Sequence, residues 1–287
     1  MDFPVRNDSG FTLIELLIAL VISGILAGSI FQVIKGESIF VRMHSAQEEV
    51  QQNSRGALEL IGSELRAVPP GGLETAEPDG LTVHAPRVWG LVCAAPSGGV
   101  ITVVLPEVAG LNYTPTSGSG LAAYVTADSA WTSASATVTA VGPAATDCGG
   151  QPVAPGSVAR TFSVASMATT AAGTAPAVGD PVYFFDRVSY ELATSSRPGL
   201  WIRRKIGTGS FEPLAGPIAE DGLKFIYCCN SVGANFSSAA PLTPAERDST
   251  TRIAIIVEAE SHSTVNGIAQ TEGDTTTVYL RNRLASW

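Results

Sequence analysis

Residues 11–34, FTLIELLIALVISGILAGSIFQVI, are almost wholly apolar. As a helix they extend about 36 Å, enough to cross the hydrocarbon of a bilayer. A cleaved secretory signal has a shorter apolar region closed by small residues; this run passes directly into further helical sequence, so it reads as a retained anchor. One carboxylate, Glu15, interrupts it near its start. A charged side chain costs about 2.5–3.5 kcal/mol at the centre of a membrane helix and less towards the end. The next cationic residue is Lys35, about 30 Å further along the helix. The compensating charge for Glu15 is therefore expected from another chain or from a chain terminus.

Beyond the apolar run the helical pattern continues. Ile39, Met43, Ala46, Val50, Ala57, Ile61 and Leu65 recur mostly at steps of three, four or seven, with polar residues between them, which predicts an amphipathic helix over residues 35–68. Pro69-Pro70-Gly71-Gly72 should end it, because proline removes a donor and drives the preceding residue out of helical geometry. An unbroken helix over residues 11–68 would measure about 87 Å. Gly24, Gly28 and Gly36 weaken it locally, and Gly24 with Gly28 forms a small-x-x-x-small pair suited to close helix approach.

The residues around Glu15 point to a family. Gly10-Phe11-Thr12-Leu13-Ile14-Glu15, after the short polar leader of residues 1–9 and before the apolar helix, resembles the class III signal of type IV prepilins. The resemblance implies that prepilin peptidase cuts between Gly10 and Phe11. Residues 1–10 are then a leader, Phe11 becomes the N-methylated terminus, and Glu15 engages the terminal amine of a neighbouring subunit. A terminal ammonium is the partner that Glu15 lacks, and their attraction is stronger in lipid than in water. Arg6, Asp2 and Asp8 before the helix and Lys35 and Arg42 after it do not fix the orientation by charge alone. The resemblance does: cleavage occurs on the cytoplasmic side, so the chain is anchored once in the inner membrane with residues 69–287 outside.

That distal part predicts β structure. Only 15% of the chain is charged, and Gly, Ala, Ser, Thr and Pro are abundant, a composition suited to short strands and turns. Residues 100–105, 182–192, 200–206, 223–228, 253–260 and 275–281 are β-branched or aromatic with partial alternation, and residues 122–127 and 136–141 carry weaker strand patterns. Ser196-Arg197-Pro198-Gly199 predicts a hairpin turn that places Tyr190 and Trp201 on neighbouring strands. Residues 94–179 read as an insertion in the head. The expected fold is α+β and pilin-like: a long N-terminal helix, transmembrane over 11–34 and then amphipathic, packed on an antiparallel sheet. LWIRRK (residues 200–205), residues 211–227 and residues 276–284 are similar to minor pilins of the PilW type and to minor pseudopilins of the J type from type II secretion. That likeness implies a non-catalytic subunit that joins other minor and major pilins in priming a fibre.

The formal charge of −9 excludes a phosphate-binding footprint, so no nucleic acid is expected as a partner. Arg203-Arg204-Lys205 is a single basic cluster whose side chains alternate between strand faces, expected at a solvated edge. Cys93, Cys148, Cys228 and Cys229 lack zinc spacing, and outside the cytoplasm disulfides are permitted. A ring between the adjacent Cys228 and Cys229 would be strained, which favours pairing them with Cys93 and Cys148; buried free thiols are the alternative. His44, His84 and His262 form no metal motif. Gly207-Thr208-Gly209-Ser210 predicts a turn between strands, without the spacing of a phosphate loop. Glu258, Glu260, Glu272 and Asp274 read as a solvated acidic edge rather than a calcium site. No nucleophile, base or metal set assembles, so neither an enzyme nor a cofactor is expected. The function classes that remain are a pilus-assembly subunit, a secretion pseudopilin that contacts cargo, and a pilin-anchored adhesin.

Overall fold

A computed structural model describes residues 12–69, 71–106, 113–132, 136–167, 169–228, 241–265 and 267–280. Helix α1 runs from Leu13 to Ala67, 55 residues without a break, or about 82 Å. It ends where expected: Val68 is extended, its N–H bonds the carbonyl of Leu65 at 3.1 Å, and Pro69 follows. From Leu13 to Arg42 every residue is exposed. Burial begins at Ala46 and continues through Val50, Ser54, Ala57, Leu58, Ile61, Gly62 and Leu65. The predicted stripe is thus the packed one from Ala46 onward, while Met43 is half-buried and Ile39 exposed because they lie beyond the reach of the head.

The head begins with β1 (Leu73–Ala76), β2 (Gly80–Ser97) and β3 (Val100–Pro106), then β4 (Gly120–Val125), β5 (Ala130–Trp131) and β6 (Ala136–Ala145). After the small pair β7 (Asp147–Cys148) and β8 (Gln151–Pro152) come β9 (Ser157–Val164), β10 (Pro181–Thr194), β11 (Leu200–Ile206) and β12 (Glu212–Cys228). Short helix α2 (Pro244–Ser249) leads to β13 (Arg252–Val265) and β14 (Ile268–Tyr279). All strand pairings among the described residues are antiparallel. The chain is α+β, with the second half of the long helix packed on an antiparallel sheet.

Two strands organise the head. β2 and β10 pair along their length, from Gly80↔Glu191 to Leu91↔Pro181. On its other edge β2 meets β1 with its first half and β3 with its second. β10 likewise meets β4 and then β11. One result is a seven-stranded sheet in the order β1-β2-β10-β11-β12-β13-β14; the other is a closed six-stranded ring, β2-β3-β9-β6-β4-β10 and back to β2. The changeover coincides with a register shift between Phe184 and Phe185, opposite Val88 and Pro86. The β2–β3 connection is the two-residue turn Gly98-Gly99, with φ of 60° and 78°, positive values that glycine adopts without strain and that hairpin turns of this length require.

Each region has its own core. Val50, Ile61 and Leu65 of α1 pack with Val83, Tyr190, Ile202, Phe225, Ile255 and Val278 of the sheet. Inside the ring, Ile101, Val103, Leu121, Phe162 and Phe184 are fully buried with no helix residue among them. Phe162 and Phe184 lie 4.4 Å apart between ring centroids.

Two expectations are corrected. Strand β11, which carries Arg203, Arg204 and Lys205, is an interior strand between β10 and β12, so the basic run is no solvated edge: Arg203 pairs with Glu191, and Arg204 pairs with Glu64 of α1. Cys93 bonds to Cys148, not to either tandem cysteine, because β3 and β9 hold the β7–β8 pair against the ring beside β2. Cys228 is also disulfide-bonded, and Cys229 lies outside the described residues.

Candidate functional site: the N-terminal helix

The first turn of α1 is built around Glu15. Thr12 is the N-cap; its hydroxyl accepts the N–H of Glu15 at 3.4 Å, while the Glu15 carboxylate accepts the N–H and the hydroxyl of Thr12, each at 3.0 Å. This reciprocal capping box satisfies donors that the start of a helix leaves open, and the carboxylate sits at the positive end of the helix dipole. Its donors are neutral, however, so among the described residues the negative charge has no counter-charge. Thr12 was not singled out from the sequence, although Thr-x-x-Glu ahead of an apolar run is the signature of such a box. Gly10 and Phe11 lie outside the described residues.

Behind that turn, the exposed apolar residues Leu13, Ile14, Leu16, Leu17, Ile18, Leu20, Val21 and Ile22 continue through Ile25, Leu26, Ile30, Phe31, Val33 and Ile34. Among the described residues this is the one helix long and apolar enough to cross a membrane. Its surface is apolar on every side, as a membrane or a bundle of like helices requires.

The far half of α1 is locked to the head by polar contacts as well as by its stripe. Glu64 pairs with Arg204 and accepts the hydroxyl of Tyr190. Burial, together with the Glu64 carboxylate, pushes the Tyr190 hydroxyl well above the ordinary tyrosine range. Burial opposes the charge on Arg204 most strongly, but the hydrogen bonds it donates to Glu64 and the attraction of that carboxylate, with Tyr190 adding to them, together outweigh burial, so the guanidinium titrates above its ordinary value. Asn53 Nδ2 donates to the Gly216 carbonyl at 3.1 Å, and Gln51 Nε2 donates to Glu272 at 3.1 Å. The helix therefore cannot roll on the sheet without breaking a half-buried ion pair.

Elsewhere the candidate chemical groups are structural. His84 is buried, stacks on Phe185 at 4.0 Å and contacts Glu74 at 3.1 Å; Arg187 donates to the same carboxylate at 3.0 Å. His84 first, then Arg187, hold the Glu74 carboxyl below its ordinary range, against its own burial. Near the changeover, Arg87 and Tyr113 both donate to Asp186, each at 2.9 Å. His44 contacts Glu48 on the exposed helix at 3.4 Å, and His262 is exposed. No group of three or more His, Cys, Asp or Glu side chains suited to a metal occurs among the described residues. Glu258 and Glu260 project on the opposite face from Glu272, which meets α1, so the four acidic residues do not converge.

Residues 5–31 match the prokaryotic N-terminal methylation motif. The match spans Gly10, Phe11, Thr12, Glu15 and most of the apolar run, and supports a type IV pilin-type protein processed by prepilin peptidase. No curated protein and no solved structure matches the chain.

Proposed function

We propose that the chain is a minor pilin that takes part in priming and assembling a type IV pilus after prepilin peptidase cuts between Gly10 and Phe11. The observation that carries the reading is the N-terminal methylation motif running into an unbroken helix that is exposed from Leu13 to Arg42 and, apart from Glu15, almost wholly apolar as far as Ile34. Phe11 is methylated, and Glu15 neutralises the terminal amine of an adjacent subunit while Thr12 holds its carboxylate in place. The apolar half of α1 packs first in the inner membrane and then among the helices of neighbouring subunits, and the head rides outside. As a fibre subunit it needs no catalytic machinery.

Intact mass and N-terminal sequencing of membrane-extracted protein test the processing. The expected mature chain begins with methylated Phe11, and it disappears in Gly10→Ala and in cells lacking prepilin peptidase. An unchanged Met1 terminus would overturn the reading. Deleting the gene should remove surface fibres; normal fibres with lost protein export would move the assignment to a minor pseudopilin of type II secretion. A second reading, a pilin-anchored adhesin, draws on the exposed Trp89, 60% accessible, on the strand β2 that walls the ring. Deletion that leaves fibres and export intact while abolishing surface attachment would favour it.

A further inference from the structure

The seven-stranded sheet has two edges, β1 and β14, and they are finished differently. At β1 the carbonyl of Ala76 accepts the N–H of Leu242 at 2.9 Å, just ahead of α2, which packs there. Strand β14 pairs with β13 on one side and with no described strand on the other. The register fixes which of its groups face outward. Leu280 N–H bonds the Thr251 carbonyl at 2.9 Å, which makes Arg252↔Tyr279 a pair without mutual hydrogen bonds. With a period of two, Gly273, Thr275 and Thr277 share the orientation of Tyr279. Consistently, Thr275 N–H donates at 2.7 Å to Asp274 rather than into the ladder. The N–H groups of Gly273 and Thr277, and the carbonyls of Gly273, Thr275 and Thr277, are left facing outward with no partner among the described residues. The strand IAQTEGDTTTVY contains neither Pro nor Lys, the residues that commonly blunt an edge.

Charge beside the edge selects an occupant. Ile253, Ile255, Val257 and Ala259 of β13 are buried towards the helix, so Glu258 and Glu260 project from the other face. Neither makes an ion pair or side-chain hydrogen bond among the described residues. Glu258 lies opposite Gly273. A Cβ on Gly273 would meet nothing nearer than 3.9 Å, and its φ is not positive, so neither packing nor backbone demands glycine there. Its missing side chain leaves Glu258 uncovered towards the edge. Two such edges would repel each other, with Glu272 and Asp274 on the helix face adding to Glu258 and Glu260 and the whole chain at −9.

We propose that β14 is a docking edge that accepts an extended strand of a different protein chain, with a Lys or Arg placed opposite Gly273 to meet Glu258. Main-chain hydrogen bonds supply the attachment, and the basic residue sets the register. The inference stands apart from the processing of the N-terminus.

The test uses the full-length chain in detergent micelles and a labelled peptide, Thr-Val-Thr-Lys-Thr-Val-Thr, followed by fluorescence anisotropy and amide hydrogen exchange. Saturable binding is expected, weakened by salt, with the Gly273 and Thr277 amides gaining protection. Replacing the peptide lysine with glutamate, or Glu258 and Glu260 with Gln, should weaken binding at least about tenfold. Thr277→Pro should do the same while sparing the β13 ladder, since the N–H it removes faces outward. Gly273→Val, which removes no donor, should also weaken binding by covering Glu258. The proposal is overturned by absence of saturable binding, by equal affinity for the lysine and glutamate peptides, or by full binding to Thr277→Pro. A concentration-dependent dimer that protects the same amides without peptide would overturn it too, by making the occupant a second copy.

Discussion

The sheet and the ring share two strands but solve the problem of a buried core in different ways. In the sheet, one face is covered by a partner from elsewhere in the chain, the second half of α1, and Val50, Ile61 and Leu65 complete the core. Among the described residues no helix covers the ring, and it needs none, since closing six strands on themselves places Phe162, Phe184 and Ile101 inside. A helix-backed sheet depends on the helix for its stability, whereas a closed ring depends on the fit of its own side chains. The chain joins the two by letting β2 and β10 run through both.

Cavity mutations separate the two regions most sharply. Phe162→Ala should destabilise the ring by about 4 kcal/mol, and Ile61→Ala the helix-backed sheet by about 3 kcal/mol. Hydrogen exchange on each variant should show the loss concentrated in β3, β6 and β9 for the first and in β12 to β14 for the second; equal loss in both regions would mean that the shared strands fuse them into one cooperative unit. Next comes the crosslink between Cys93 and Cys148, which spans 55 residues of sequence. Cys93→Ser should lower ring stability by about 3 kcal/mol on thermal unfolding, with the helix-backed sheet unaffected. Glu64→Gln should weaken the sheet and spare the ring, by about 2 kcal/mol, because it leaves the half-buried Arg204 without its counter-charge. Chemical denaturation monitored at probes in each region would expose any wider effect.

The smallest effect distinguishes the regions by pH. Burial alone would favour the neutral form of Asp180, but the N–H of Ala177 and the hydroxyl and N–H of Thr126 outweigh it, so this ring carboxyl titrates below its ordinary range. Glu74 is likewise depressed by His84 and Arg187 beside the sheet. Both contributions are complete above the unfolded-state values, about 4, and are lost as pH falls through the lower folded-state values. Asp180→Asn should flatten the acid dependence of ring stability, and Glu74→Gln that of the sheet. If each variant altered both regions equally, the carboxylates would not be acting locally.

Much of this organisation was legible where one local pattern dominates. Uniform apolarity and Pro69 delimit α1 to within a residue of its observed end, and β11 occupies the predicted 200–206. The Ser196 to Gly199 turn joins β10 to β11 and puts Tyr190 and Trp201 on neighbouring strands, as expected. Strand β2 was not legible: Pro86, Gly90 and Pro96 break its pattern, and it changes partners midway, so no single alternation runs through it. The first half of β12 is hidden similarly by Pro213, Gly216 and Pro217. Side-chain partners across long separations were also beyond local reading. Nothing near Arg204 in the sequence indicates Glu64, and nothing near Cys93 selects Cys148, because each pairing follows from how strands are ordered in space. At the N-terminus, Thr12 three residues away supplies neutral hydrogen-bond donors to Glu15, a capping role that Thr-x-x-Glu makes legible.

The passage of β2 and β10 through both regions also sets how the head bears force. The chain enters the ring along one of these strands and leaves along the other, its neighbour. A pull on the ring along these strands, away from the helix-backed sheet, therefore loads two adjacent strands lengthwise and together. The hydrogen bonds that tie them to β1 and β11 lie across the direction of pull. They must slip as a set rather than open one after another, so the head is braced against extension along the strands that run from sheet to ring.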